Sequence, residues 1–167
     1  QRRLGGRLYR GARVVMVREP VSLRFAQFLD IPAARLHLVP DLAYAYPAAG
    51  ERDVAPALLT RVSGLPRPII GVTAINRLLS AVDAAVWDAY ERGLADGLAA
   101  FAVAQGGSIV FFPQVTGPAE REDDRIAARR IAARIAGIAP GVAVLALEEK
   151  LAPAELKALY ARVDLFV

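Results

Sequence analysis

The chain has 167 residues, 55% of them hydrophobic, a net charge of +4, no cysteine and a single histidine, His37. This composition excludes a disordered segment and is enough to bury the core of one domain or parts of two. It also excludes disulfides, cysteine nucleophiles and cysteine or multi-histidine metal sites within these residues.

Mean hydropathy is +0.34, but alanine supplies much of it, and no run of about 18 apolar residues lacks a charge or a breaker. The chain therefore reads as soluble, and the missing cysteines fit a reducing compartment. Lys150 and Lys157 are the only lysines. Arginine's planar fork suits phosphate and carboxylate, although an Ala/Arg-rich composition is also what a GC-rich genome encodes. The arginines are scattered and no aromatic-basic platform appears, so no nucleic acid partner is expected.

In chain order, the basic opening "QRRLGGRLYRG" reads as a turn and leads into no apolar secretion core. Residues 13–17 form a continuous apolar run, read as a buried strand, and residues 20–29 a helix opened by Pro20. A short strand over 36–39 completes a β-α-β unit, which implies a parallel pair with a right-handed crossover. Residues 47–67 mix Pro, Gly and charge around a short helix at 54–62 and read as an interdomain linker.

A β-branched strand over 68–75 starts a second domain. Residues 81–104 carry apolar positions at helical spacing, with Gly106-Gly107 as the stop signal. A strand at 108–112, helix at 123–136, strand at 142–147 and helix at 153–162 follow, and "DLFV" falls in mid-strand. The fold class is α/β, with Rossmann-like parallel sheets in two parts, 1–46 and 68–167.

In such sheets ligands bind beyond the carboxyl ends of the strands. That rule selects Arg18, Glu19 and Ser22 after the first strand and Asp41 after the second. In the other domain it selects Thr73, Asn76 and Arg77, then Gln114, Asp123 and Asp124. Each also has a local role open to it. Arg18-Glu19 and Ser22 can hold a turn, Asp41 can accept backbone N–H groups after Pro40, and Asp123 and Asp124 can cap a helix. His37 sits inside a strand and is read as structural. No dinucleotide fingerprint, phosphate loop or nucleophile elbow is present, and no carboxylate set is spaced for a metal.

Taken together, "VMVREPVS", "LHLVPD", "IIGVT", "SIVFFPQ" and "EDDRIAARRIAARI" resemble, in type and order, the motifs of the polysaccharide pyruvyl transferase family. The resemblance covers nearly the whole chain and implies two Rossmann-like domains in a GT-B-like architecture with a cleft between them. The implied reaction moves a pyruvyl group from phosphoenolpyruvate to paired hydroxyls of a glycan or lipid-linked saccharide, with no other cofactor. Arg18 and Arg77 would hold the anionic donor. The family's Gly-x-Arg-x-His segment, expected directly after "DLFV", would lie beyond Val167, so the catalytic residues stay unassigned. The chain is accordingly expected to be an internal fragment, inactive alone, of a cytoplasmic protein with peripheral membrane association. Two other readings stay open: a GT-B glycosyltransferase using a nucleotide sugar, and a noncatalytic anion-binding α/β domain.

Overall fold

The computed structural model describes residues 2–47, 50, 53–76 and 82–167, the side chains of residues 2–5 excepted. The chain divides into two compact units, Gln1–Tyr46 and Pro47–Val167.

The first unit is built from α1 (Arg2–Gly11), β1 (Val15–Val17), α2 (Pro20–Phe28) and β2 (Leu36–Leu38), with short 3-10 turns at Ala33–Arg35 and Leu42–Ala45. β1 and β2 are parallel, Met16 opposite His37. Pro20 opens α2, where its missing N–H costs nothing. The helix closes on Asp30 in the left-handed region, φ 56°, a conformation Asp tolerates better than most side chains. Val15, Ala26, Leu29 and Ile31 are buried together as the core of this unit. Helix α1 replaces the turn expected at the N-terminus. Its glycines read as breakers, but Arg10 Nη1 donates to the Leu29 carbonyl at 3.3 Å and Arg35 Nη1 donates to the Arg10 carbonyl at 3.2 Å. Such tertiary bonds override a weak local propensity.

The second unit holds α3 (Pro56–Ser63), β3 (Ile69–Val72), α4 (Ala84–Gln105), β4 (Ser108–Phe111), α5 (Asp124–Ile138), β5 (Val144–Ala146), α6 (Pro153–Tyr160) and β6 (Leu165–Phe166). Its sheet is all parallel, in the order β5-β4-β3-β6. The chain winds outward from β3 to β5, then returns through α6 to the other side of β3, a Rossmann-like order.

Period-2 alternation explains the layers. Ile70, Val72, Ile109 and Phe111 turn to one face, where they meet Ala95, Leu98 and Ala102 of α4 and Ala127, Ile131 and Ile135 of α5. Ile69, Val110 and Phe112 turn to the other, against Leu58 and Val62 of α3 and Leu159 of α6. Because both faces are covered, the strands are continuously apolar.

Residues 47–67, expected to be a linker, therefore include an integral helix: Val54, Leu58 and Val62 are buried in this unit's core. The short helix expected at 54–62 is observed as α3, where Leu58 and Val62 lie four apart on one helical stripe. Asp164 ties β6 to the start of β3, its Oδ2 accepting from the Ile69 N–H at 2.7 Å while Oδ1 pairs with Arg67. Among the described residues, no helix is long and apolar enough to cross a membrane.

Two glycines give opposite expectations. A Cβ at Gly107 would sit 2.3 Å from the Pro68 carbonyl oxygen, whereas one at Gly97, inside α4, would meet nothing within 4 Å. Gly107→Ala is expected to destabilise the fold by roughly 2 kcal/mol or more through overpacking. Gly97→Ala should stabilise it by roughly 0.5–1 kcal/mol. Thermal or urea unfolding of the two variants checks both signs.

Candidate functional site

Beyond the carboxyl ends of β3 and β4 lies a cavity of about 320 Å³ lined by Thr73, Ala74, Ile75, Asn76, Gln114, Val115, Glu122 and Asp124. Its walls are the two segments that leave adjacent parallel strands, and α5 begins at its floor. It lies at the carboxyl ends of the strands, the end at which open parallel sheets bind ligands.

The carboxylate of Asp124, buried at 9% exposure, holds the two walls together. Its Oδ2 accepts from the Val115 N–H at 2.9 Å and the Gln114 N–H at 3.3 Å, and its Oδ1 faces the Asn76 N–H at 3.4 Å. Thus a residue expected at a ligand is turned to protein amides. Asn76 is equally committed: its Nδ2 donates to the Glu120 carbonyl at 2.9 Å and its Oδ1 accepts from Arg130 Nη2 at 2.8 Å. Arg130 in turn grips Glu91, which is 1% exposed, with Nε 3.0 Å from both carboxylate oxygens. Breaking such a pair from one side would strand a buried charge.

Asp123 caps α5, its Oδ1 accepting from the Arg125 N–H at 3.1 Å and both oxygens accepting from the Arg125 guanidinium. That guanidinium, more than any other group, holds the Asp123 carboxyl below its ordinary value, and Arg125 itself is raised in return. The capping role weighed for this residue is the one its geometry performs, and its carboxylate is not among the cavity-lining groups. Gln114 lines the cavity and donates from Nε2 to the Tyr160 hydroxyl at 3.2 Å. Burial raises the Tyr160 hydroxyl above its usual pKa, and its ring packs edge-on against Phe112 and Phe166.

In the first unit, Arg18 Nη1 and Asp41 Oδ2 lie 2.6 Å apart, linking the ends of β1 and β2. Asp41 Oδ1 also accepts from the Ala43 N–H at 2.9 Å. That backbone bond first, and Arg18 second, lower the Asp41 carboxyl. Ser22 Oγ donates to Glu19 Oε1 at 2.9 Å, so this pair forms a local turn lock. Ser22 also borders a second, mostly apolar cavity of about 190 Å³ with Met16, Phe25 and Leu29. His37 is exposed on β2. Arg77 lies outside the described residues. Among those described, no group of three or more His, Asp or Glu side chains is arranged to hold a metal ion.

Thr73, Asn76, Gln114 and Asp124 were thus legible from strand-end position, while Glu122, Glu91 and Arg130 were not. The available signal for Glu91 was its place four residues before Ala95 on the buried stripe of α4, a charge where an apolar residue belongs. Glu122 adjoins the two aspartates, and the 3-10 turn Glu120–Glu122 brings it to the cavity wall. Comparison of the chain with family models, with curated proteins and with solved structures found no match.

Two outcomes follow from these bonds. Asp124→Asn turns one acceptor into a donor facing backbone N–H groups, and should cost about 2 kcal/mol. Faster amide exchange at Val115 and Gln114 would accompany the lower melting temperature. Asp123 contributes stability above its ordinary pKa of 3.8 and loses it as pH falls through its lowered folded value. Asp123→Asn should therefore flatten the acid limb of the stability profile, as measured by urea unfolding between about pH 6 and pH 2.5, a range spanning ordinary and depressed carboxyl values.

Proposed function

We propose that this chain belongs to a pyruvyl transferase that moves pyruvate from phosphoenolpyruvate onto a sugar of a cell-surface polysaccharide. The observation that carries the reading is the convergence of separate motifs. Thr73 and Asn76, from the stretch beginning "IIGVT", and Gln114 and Asp124, from "FFPQ" and "EDD", line one cavity at parallel strand ends. The pairing of Arg18 with Asp41 gives the other two motifs, "VMVREPVS" and "LHLVPD", a shared position in the first unit. The proposed architecture is a pair of Rossmann-like domains of GT-B type, working in the cytoplasm at the inner face of the membrane.

In the reaction, two sugar hydroxyls add to the central carbon of phosphoenolpyruvate, the methylene carbon gains a proton, and the bond to phosphate oxygen breaks. The two protons lost by the hydroxyls balance the one gained by carbon and the one carried off with phosphate. This chemistry needs an anion grip for the donor and a positioned acid and base. Arg18 is the donor-binding candidate in the described residues. Its side chain is 69% exposed, so removing it should spare the fold.

The full-length protein that carries this chain is expected to release phosphate from phosphoenolpyruvate in the presence of a glycan acceptor and to leave acid-labile pyruvate on the glycan. The 167-residue chain alone should release none. In the full-length protein, Arg18→Ala should lower kcat/KM by about tenfold to a hundredfold, the range of one charge-assisted hydrogen bond. Consumption of a nucleoside diphosphate sugar in place of phosphoenolpyruvate would assign the protein to glycosyl transfer.

A further inference from the structure

We infer that the outward face of α4 is a self-docking surface, on which a second copy of this chain packs its own α4 antiparallel about a two-fold axis. The inference is independent of the pyruvyl-transfer reading.

α4 turns Glu91, Ala95, Leu98, Ala99 and Ala102 to the core. The opposite side of a surface helix normally carries its charged and polar residues. Here Ala89, Gly93, Gly97 and Phe101 form a ridge at spacing four on that side, all of them exposed. Ala100, Val103 and Ala104 are exposed beside it. Phe101 is 42% exposed and Val103 63%. An alanine-rich composition alone does not produce this face. The charges of α4 are Asp88, Glu91, Arg92 and Asp96, and two of them are turned to the neighbouring helix, Asp88 pairing with Arg134 and Glu91 with Arg130 of α5.

The glycines point the same way. Gly93 and Gly97 each weaken the helix that holds them. Neither has a positive φ, and a Cβ on either would meet nothing within 4 Å. Neither a turn nor close packing inside the described residues calls for glycine here, whereas a helix laid across them would approach the backbone closely.

A second copy fits because the ridge is complementary to itself. A two-fold contact sets the same patch of each copy against the other. With Gly93 opposite Gly97 of the second copy, antiparallel register sets Ala89 opposite Phe101 of the second copy. The one bulky side chain of the ridge thus meets a small one at both ends. Charge selects the same direction. Arg92 pairs with Asp88 along the helix but remains 55% exposed, and Asp96, also exposed, lies one turn further on the same flank of the ridge. Antiparallel packing brings Arg92 of each copy to Asp96 of the other, which makes two symmetric ion pairs. Parallel packing would set like charges opposite each other. A single helix face is smaller than the roughly 20–30 residues a side of a standard interface, so the dimer is weak, with a Kd of about 10 μM to 1 mM.

Sedimentation velocity of the 167-residue chain across that concentration range should show a monomer–dimer equilibrium. Gly93→Lys should weaken association at least about tenfold by setting an amine in an apolar contact. Its melting curve should show it folded, because a Cβ at this position has open space. Asp96→Arg should weaken association several-fold, and Arg92→Asp combined with Asp96→Arg should restore it. The chain has no cysteine, so Gly93→Cys and Gly97→Cys each place a single thiol on the face. On oxidation, a mixture of these two variants should form more disulfide-linked dimer than either alone. A chain that stays monomeric up to about 1 mM, the weak end of the expected range, would overturn the inference, as would association that Gly93→Lys leaves unchanged. Preferential linkage of Gly93→Cys to itself would remove the antiparallel register and the inference with it.

Discussion

The carboxylate of Asp124 is the constraint on which the site depends. One buried side chain at the first turn of α5 accepts from the backbone of the segment after β3 and from two consecutive amides after β4. Parallel strands separated by a helix have no turn to fix the geometry of their carboxyl ends. Here a side chain from the following helix does it. Asp124 does so with charge-assisted bonds, which are shorter and stronger than neutral ones, and the Arg130 bridge from Glu91 to Asn76 braces the same corner from behind.

Among the described residues, many arginines are structural cations. Arg18, Arg61, Arg67, Arg92, Arg125, Arg129, Arg130 and Arg134 each meet a carboxylate. Most of these pairs are exposed, and individually such pairs contribute little to stability. The exception is Glu91 with Arg130, where the carboxylate is buried and the planar fork matches it. A net charge of +4 therefore says less about anionic ligands than about how the helices are laced together. Among the described residues, the guanidiniums of Arg125 and Arg130 beside the cavity are spent on Asp123 and Glu91.

The parallel winding, the apolar strands and the positions of strand ends were all legible in the linear pattern. Period-2 and period-3.6 burial are properties of a segment and its own neighbours. The N-terminal helix was misread as a turn for the opposite reason: its glycines are local breakers, and Arg10 within it is tied to the distant Leu29 and Arg35. The helix expected at 54–62 is present as α3, but a stretch rich in Pro and Gly did not record that it packs on the sheet face of Ile69 and Val110.

The sequence by itself determined that this is an α/β chain with parallel strands, and that Thr73, Asn76, Gln114 and Asp124 stand where such sheets bind ligands. Only the tertiary structure decided which of these side chains line the cavity and which are bonded to the protein. A carboxylate at a helix start reads the same whether it caps its own helix, as Asp123 does, or latches two strand ends, as Asp124 does. The difference lies in donors that are 9, 10 and 48 residues away in sequence, and no local pattern records which amides a fold will bring to an oxygen.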